Sequence, residues 1–130
     1  MFAPSILITD DDHDFRETLC GVFVPRGYRT LLAGDGEEAI RTVLTQEVHL
    51  VLMDMHMPRI TGVDAIRKVK RFRADLPCIL LSAALDEHIV RDAEAARAFS
   101  VLPKPVSQKQ ITAAVEAALR TAYGWECPSK

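Results

Sequence analysis

The fold of this chain can be inferred from residues 49–58, which read His49-Leu50-Val51-Leu52-Met53-Asp54-Met55-His56-Met57-Pro58. An apolar run that ends abruptly in a charge and is soon followed by a proline is typical of a buried strand that opens into a loop. In an open parallel α/β sheet, ligands bind where the strands end at their carboxyl side. Asp54 therefore lies where such a sheet would present a functional carboxylate.

Three further apolar runs end in residues that can carry chemistry. Residues 5–9 are followed by three aspartates, Asp10-Asp11-Asp12. Residues 78–81 end in Ser82, and residues 99–102 lead to Lys104-Pro105. Four predicted strand ends thus provide carboxylates, a hydroxyl and an ammonium group, a set that suits a divalent cation and a phosphoryl group.

Strand-like and helix-like periodicities alternate along the whole chain. Residues 28–33 predict one more strand, and each of the five strands is followed by apolar residues at helical spacing. The apolar residues that mark these helices are Phe15, Leu19, Val22 and Phe23; Ile40, Val43 and Leu44; Val63, Ile66 and Val69; Leu85 and Ile89 within residues 85–97; and Ile111, Val115, Ala118, Leu119 and Ala122. Strict alternation predicts an α/β fold in which helices cover both faces of a parallel sheet.

Length, charge and composition are those of an ordinary soluble domain. A chain of 130 residues is long enough for one domain with a single core. A net charge of −2 gives no basic footprint, so we expect no direct binding to nucleic acid. No run reaches the roughly 18 apolar residues of a membrane span, and the N-terminus lacks the features of a signal peptide. The three cysteines, Cys20, Cys78 and Cys127, lack metal-like spacing and favour reduced thiols in a cytoplasmic protein.

The aspartates predict a metal site. Asp10 and Asp11 follow the first strand and Asp54 closes the third, and adjacent strands lie only about 4.8 Å apart. Clustered carboxylates repel one another, a repulsion that a bound cation relieves, and hard oxygen ligands suit Mg²⁺ or Mn²⁺. Asp12 is compatible both with a place in this carboxylate site and with a cap at the N-terminus of the first helix.

Lys104 and Ser82 are candidates for binding a phosphoryl group. The Lys104 ammonium could reach a phosphoryl oxygen or the Asp54 carboxylate, and a cis Lys104-Pro105 bond would aim it inward. The Ser82 hydroxyl could donate to a phosphoryl oxygen, or it could cap a helix that starts near Leu85. No histidine is spaced to act as a general base for Ser82, which argues against a hydrolase triad. We interpret His56 as a loop residue whose side chain lines the site and tunes access to it.

Taken together, these residues resemble the receiver domain of two-component response regulators. The resemblance covers residues 5–122, and residues 123–130 would be a C-terminal tail or the start of a linker. It rests on Asp10-Asp11, on Asp54 with Met57-Pro58 and Gly62, on Ser82-Ala83 and on Lys104-Pro105, in the order and at the spacing of the family's motifs. The resemblance implies a flavodoxin-like five-stranded sheet in the strand order 2-1-3-4-5.

The resemblance also implies a role for each residue of the site. Asp54 would be the phosphoacceptor, taking a phosphoryl group from the phosphohistidine of a sensor histidine kinase or a phosphotransfer protein. Asp11, Asp54 and the main-chain carbonyl of His56 would bind Mg²⁺, with Asp10 acting through water. Ser82 and Lys104 would bind the phosphoryl oxygens, an arrangement that fits the need of phosphoryl transfer for positioning and charge neutralisation.

Signalling would follow from the charge that phosphorylation adds. Ser82 would shift inward, and the face formed by residues 85–97, 99–102 and 108–122 would change its affinity for a downstream partner or a fused output domain. The family's aromatic switch position is occupied here by Val101, with Phe99 two residues earlier, so the usual aromatic coupling and a dimer through this face are not indicated. His56 and Ala84 occupy the positions that should set the lifetime of the phosphoryl group.

Three other readings compete with this one. A haloacid-dehalogenase-type phosphatase would use Asp10 and Asp12, but it would require Thr or Val where this chain has Asp14. A calcium loop beginning at Asp10 fails because its sixth residue is Phe15 and its twelfth is Gly21. A receiver-like protein-binding module that is never phosphorylated remains the main alternative.

Overall fold

A computed structural model describes residues 3–126 of the chain. It contains five strands and five helices that alternate in sequence, with a short 3₁₀ turn at Val24–Arg26 after the first helix. The strands are β1 Ser5–Thr9, β2 Arg29–Ala33, β3 Leu50–Asp54, β4 Cys78–Ser82 and β5 Ser100–Pro103. The helices are α1 His13–Phe23, α2 Gly36–Thr45, α3 Gly62–Phe72, α4 Glu87–Ala95 and α5 Gln108–Tyr123.

All five strands pair in parallel in one sheet, in the order β2-β1-β3-β4-β5. The strand order changes direction at β1, because β2 lies on one side of it and β3 on the other. The register pairs Thr9 with Met53 and Asp54 with Leu81, so β1, β3 and β4 end at nearly the same level. The predicted flavodoxin-like fold and strand order are therefore confirmed.

Alternate strand residues enter two separate apolar clusters, one on each face of the sheet. Leu7, Val51 and Leu80 pack with α2, α3 and α4 on one face. Ile8 and Leu52 pack with α1 and α5 on the other. Every residue of β1, β3 and β4 is buried, as expected for strands that are covered on both faces.

The fourth helix is shorter than the sequence pattern predicted. It spans Glu87–Ala95 rather than residues 85–97, because the Asp86 side chain accepts a hydrogen bond from the Ile89 N–H (2.9 Å) and so caps the helix two residues later. At the other end, Arg97 takes a left-handed conformation with a φ of 65°, which ends the helix.

The C-terminal segment packs against the domain as far as it is described. Helix α5 runs to Tyr123 and ends at Gly124, whose φ of 72° is the left-handed conformation that favours glycine. The Trp125 ring stacks on Tyr123 with a centroid distance of 4.1 Å. Residues 127–130 of the predicted tail, including Cys127, lie outside the described residues. Within residues 3–126, no helix combines the length and the apolar character needed to cross a bilayer.

Candidate functional site at the carboxyl end of the sheet

Three carboxylates meet where β1 and β3 end. Asp10 follows β1 and Asp54 is the last residue of β3, and these strands are neighbours in the sheet. Side-chain oxygens of Asp10, Asp11 and Asp54 all lie within 4.8 Å of one another. Asp10 is 1% and Asp54 5% exposed, whereas Asp11 is open to solvent. The predicted acidic cluster is therefore present, with one carboxylate at the surface and two beneath it.

Lys104 brings one positive charge into the same site. Its Nζ lies 2.6 Å from Asp10 Oδ2 and 3.1 Å from Asp54 Oδ1, and 4.2 Å above the centre of the Phe15 ring. The Lys104 main-chain N–H donates to the Ser82 carbonyl oxygen (2.8 Å), which fixes the start of this loop against β4. The Lys104-Pro105 peptide bond is cis.

The charges of the site do not balance. Burial raises the pKa of Asp54 above its ordinary value, and the nearby Asp10 carboxylate raises it further, while Lys104 acts in the opposite direction. Burial alone would lower the pKa of Lys104, but its hydrogen bonds to Asp10 and Asp54 outweigh that effect and raise it. Three carboxylates face one ammonium group, which leaves a surplus of two negative charges when all are ionised.

Asp10 and Asp12 have separate roles. Asp10 uses both carboxylate oxygens within the protein, since Oδ1 accepts from the Asp12 N–H (2.9 Å) and Oδ2 from Lys104. The Asp12 side chain accepts from the N–H groups of Asp14 and Phe15 and caps α1. Of the two roles left open for Asp12, the structure supports the cap, and Asp12 is not part of the acidic cluster. Because the Asp12 carboxylate is engaged in this cap, the phosphatase alternative, which would use Asp10 and Asp12, is not favoured.

Ser82 and His56 form a contact that the sequence analysis missed. The Ser82 Oγ lies 3.2 Å from His56 Nε2 and also accepts the Ala84 N–H (3.2 Å). The pairing of β3 with β4 explains the contact, because the Met55 N–H donates to the Leu81 carbonyl oxygen (2.8 Å) and carries the ladder past Asp54. Sequence spacing between the two residues gives no hint of this. The contact could have been inferred only from the position of the two residues at the ends of adjacent strands that end at the same level. Ser82 does not cap α4, since Asp86 does.

Gly62 allows the loop after β3 to close tightly on the site. Its N–H donates to the Met55 carbonyl oxygen (2.9 Å), and a Cβ at this position would overlap the Asp54 carbonyl oxygen and crowd the Leu80 side chain. A glycine is therefore required here by close approach of the backbone, and its place in the quoted motif has a direct steric reason.

The remaining predicted positions lie around the site or farther along the sheet. Ala84 is exposed and follows Ser82 in the loop toward α4. Val101 is half-buried on the edge strand β5, opposite Leu80 of β4. Phe99 is 39% exposed. The side chains of His13 and His88 are 72% and 76% exposed.

A groove of about 290 Å³ lies elsewhere on the surface, between α2 and α3. It is lined by Glu37, Ile40, Lys68, Arg71 and Phe72, and includes no residue of the acidic cluster. This groove therefore does not coincide with the acidic cluster at the strand ends.

Comparison with known proteins agrees with the fold. The family model described as the response regulator receiver domain matches residues 6–116. The chain belongs to this family, whose members are the phosphoacceptor switches of two-component systems.

Curated relatives share the domain but are longer. Response regulator RR06 of Streptococcus pneumoniae is 29% identical over 119 residues, which are 92% of this chain and 54% of that protein. The DNA-binding transcriptional regulator NtrC of Azospirillum brasilense is 32% identical over 93% of this chain and only 25% of its own length. The chain thus spans about half or less of these relatives.

Solved structures include close matches in fold. A CheY-like response regulator receiver domain protein from Methanospirillum hungatei superposes with a TM-score of 0.91 at 20% identity, covering 95% of this chain and 98% of that one. A structure described as the CheX-CheY-BeF3-Mg+2 complex from Borrelia burgdorferi matches at 25% identity with a TM-score of 0.83, covering 88% and 87% of the two chains.

Proposed function

We propose that Asp54 is the residue of this receiver domain that accepts the phosphoryl group. The observation that carries the proposal is the convergence on Asp54 of two further aspartates and Lys104, whose Nζ lies 3.1 Å from Asp54 Oδ1. A strand-end carboxylate with this surrounding can act as a nucleophile while nearby charges are ready to bind the incoming group.

The transfer is a substitution at phosphorus. An Asp54 oxygen forms a bond to the phosphorus of a phosphohistidine as the phosphorus–nitrogen bond breaks, the imidazole leaves with the bonding pair, and an acyl phosphate remains on the domain. The ionised form of Asp54 is the nucleophile, and the contact with Lys104 favours it against the effects of burial and Asp10. Lys104 then exchanges a carboxylate oxygen for a phosphoryl oxygen, and Ser82 donates its hydroxyl to another.

The acidic cluster suits a magnesium or manganese ion. Its donors are hard carboxylate oxygens, and the two surplus negative charges match a divalent cation. Asp11, Asp54 and the main-chain carbonyl of His56 would bind it, with Asp10 contributing through water because Lys104 and the Asp12 N–H already occupy its oxygens. When bound, the ion would neutralise charge on the transferring phosphoryl group. The structure described for the Borrelia burgdorferi protein names Mg+2 together with BeF3.

A change at Ser82 would reach the surface through β4 and β5. Ser82 pairs with Pro103 in the sheet, and the loop after Ser82 leads directly into α4. The face formed by α4, β5 and α5 is the surface that we propose to change its affinity for a downstream partner or a fused output domain. The phosphoryl donor would be a sensor histidine kinase or a phosphotransfer protein, in a cytoplasmic setting. Because Val101 occupies the family's aromatic switch position, this change would be transmitted without an aromatic ring at that position.

Two of the predicted positions lie next to the Ser82 hydroxyl. His56 places an imidazole beside it, and the Ala84 N–H donates to it. We propose that these two residues set the lifetime of the phosphoryl group in the domain's own dephosphorylation.

Intact-mass spectrometry after incubation with acetyl phosphate and Mg²⁺ tests the proposal. The wild type should gain the mass of a single phosphate, and the gain should be lost with EDTA and in Asp54→Asn. Asp14→Asn is a matched control, because it makes the same change at a side chain that is 99% exposed outside the cluster, and it should label like the wild type.

Two results would contradict the proposal. A mass gain that persists in Asp54→Asn would place the acceptor elsewhere. Absence of labelling by both acetyl phosphate and a phosphohistidine donor, under conditions that label a control receiver, would instead favour the protein-binding module that is never phosphorylated.

A further inference from the structure

The hydroxyl of Ser82 has two hydrogen-bonding neighbours within the protein. His56 Nε2 lies 3.2 Å from Ser82 Oγ, and the Ala84 N–H donates to the same oxygen at 3.2 Å. Ser82 is 1% exposed, so bulk water does not compete for its hydroxyl. A hydroxyl has one hydrogen to donate and two lone pairs, and one of these lone pairs is occupied by Ala84.

We propose that His56 is a positioning residue that holds Ser82 in its unphosphorylated arrangement, with the Ser82 hydroxyl donating to an unprotonated Nε2. A neutral imidazole accepts at one ring nitrogen and donates at the other. In this arrangement the single hydrogen of Ser82 points to His56 while its oxygen accepts from Ala84. The inference rests on the proposed function of Asp54 and Ser82 and adds a restraint on the switch to it.

The restraint follows from competition for one hydrogen. Ser82 cannot donate to His56 and to a phosphoryl oxygen at the same time. A phosphorylated Asp54 offers charged acceptor oxygens, which form stronger hydrogen bonds than a neutral imidazole does. Phosphorylation would therefore break the bond between His56 and Ser82. Breaking that bond would shift the equilibrium toward the unphosphorylated arrangement by about fivefold, which is the effect of one ordinary neutral hydrogen bond.

This role differs from that of a bulky side chain beside the site. Bulk at position 56 acts on the access of water whatever residue 82 is, whereas the proposed hydrogen bond acts only when residue 82 carries a hydroxyl. His56→Leu keeps a side chain of substantial size at this position but removes the hydrogen-bond acceptor. His56→Gln retains a side-chain acceptor and is the conservative variant.

A double-mutant cycle separates the two effects. The readout is the affinity for beryllofluoride in the presence of Mg²⁺, followed by NMR titration, in proteins with serine or alanine at position 82. We expect His56→Leu to bind about fivefold more tightly than the wild type when Ser82 is present. We expect no change when the same substitution is made in Ser82→Ala, and His56→Gln should remain near the wild type.

Each contrary result has a definite meaning. Equal effects of His56→Leu in both backgrounds would overturn the proposal in favour of bulk alone. The absence of an effect in either background would overturn it as well. If the wild type binds beryllofluoride and Asp54→Asn does not, the proposed function stands whatever the cycle shows. If Asp54→Asn leaves the binding unchanged, the proposed function itself fails.

Nitrogen-15 NMR of the His56 ring gives a test that needs no variant. In mildly alkaline buffer, the Nε2 signal of the free protein should be that of an unprotonated, hydrogen-bonded nitrogen. Addition of beryllofluoride and Mg²⁺ should shift this signal as Ser82 leaves. A free protein in which Nε2 carries the hydrogen would overturn the assignment of Ser82 as donor.

Discussion

The two ends of the sheet differ in how far their buried polar groups are paired with groups of the protein. At the carboxyl end, Asp10 and Asp54 are both buried and share a single ammonium group, that of Lys104. At the amino end, His49 and Ser5 are buried and satisfy each other. The His49 N–H donates to the Ser5 carbonyl oxygen (2.9 Å), and the Ser5 N–H donates to His49 Nδ1 (2.9 Å).

The amino end is closed further by the C-terminal segment. The Tyr123 hydroxyl donates to the His49 carbonyl oxygen (2.8 Å), Trp125 stacks on the Tyr123 ring, and its own ring meets His49 edge to face with a centroid distance of 5.1 Å. Ser5, His49 and Tyr123 are hydrogen-bonded within the protein there, whereas the carboxylates at the carboxyl end carry surplus charge. We infer that the amino end contributes to stability and that the carboxyl end is kept ready for ligands.

The largest expected effect comes from adding a side chain at Gly62, where the backbone passes close to Asp54 at the carboxyl end of the sheet. Gly62→Ala should lower the free energy of unfolding by about 3 kcal/mol, because its Cβ would overlap the Asp54 carbonyl oxygen. Urea denaturation measures the change. Gly21→Ala is the matched control, since a Cβ there meets nothing within 4 Å and the residue lies inside α1. The control should be neutral or stabilising by up to about 1 kcal/mol, and equal destabilisation of both variants would contradict the steric argument.

Asp54→Asn should act in the opposite direction and stabilise the metal-free protein. Burial raises the pKa of Asp54, so ionisation of this carboxyl is less favourable in the folded than in the unfolded chain. The resulting destabilisation is present at neutral pH and disappears as the pH falls below the ordinary value of 3.8. We expect a gain of about 1 kcal/mol at neutral pH in EDTA, measured by urea denaturation. No gain would mean that the Asp54 charge is already compensated. The same gain in Asp14→Asn would mean that the burial of Asp54 is not its cause.

Tyr123→Phe should weaken the amino end by a smaller amount. The substitution removes the hydroxyl that donates to His49 but keeps a ring that can stack on Trp125. We expect a loss of about 1 kcal/mol in the free energy of unfolding, from one hydrogen bond and a partly buried acceptor left without it. An unchanged denaturation midpoint would show that the Tyr123 hydroxyl contributes little to stability.

The smallest expected effect is a pH dependence that His49 imposes on stability. Burial lowers the pKa of His49, an effect that the nearby Glu47 carboxylate, 3.7 Å from Nε2, only partly offsets. The neutral form is therefore favoured by folding, and stability present above the ordinary value of 6.5 is lost as the pH falls through the lower folded pKa.

Denaturation midpoints measured across this pH range test the dependence. His49→Gln should flatten the part of the profile that His49 causes, a difference of up to about 1 kcal/mol. His88→Gln, at a side chain that is 76% exposed, should leave the profile unchanged. A profile that is identical in the wild type and in His49→Gln would be incompatible with this account.

Much of the candidate site could be predicted because it depends on where strands end. The buried strand that closes at Asp54, and the aspartates after β1, are visible in the sequence as apolar runs that stop at a charge. A parallel sheet then places such ends at one edge, so the convergence of Asp10 with Asp54 needs no further information. The start of α4 was also visible in principle, since Asp86 is a common helix cap, but the apolar Leu85 suggested an earlier start.

Local periodicity and residue type were enough to predict the succession of strands and helices along the chain, the two apolar faces of the sheet and the group of strand-end residues. The folded structure settled how those residues pair. It assigned Asp12 to a helix cap, placed Lys104 between Asp10 and Asp54, joined His56 to Ser82, and stacked Trp125 on Tyr123. These contacts depend on strand register and side-chain direction across distant parts of the chain, and no spacing along the sequence records either.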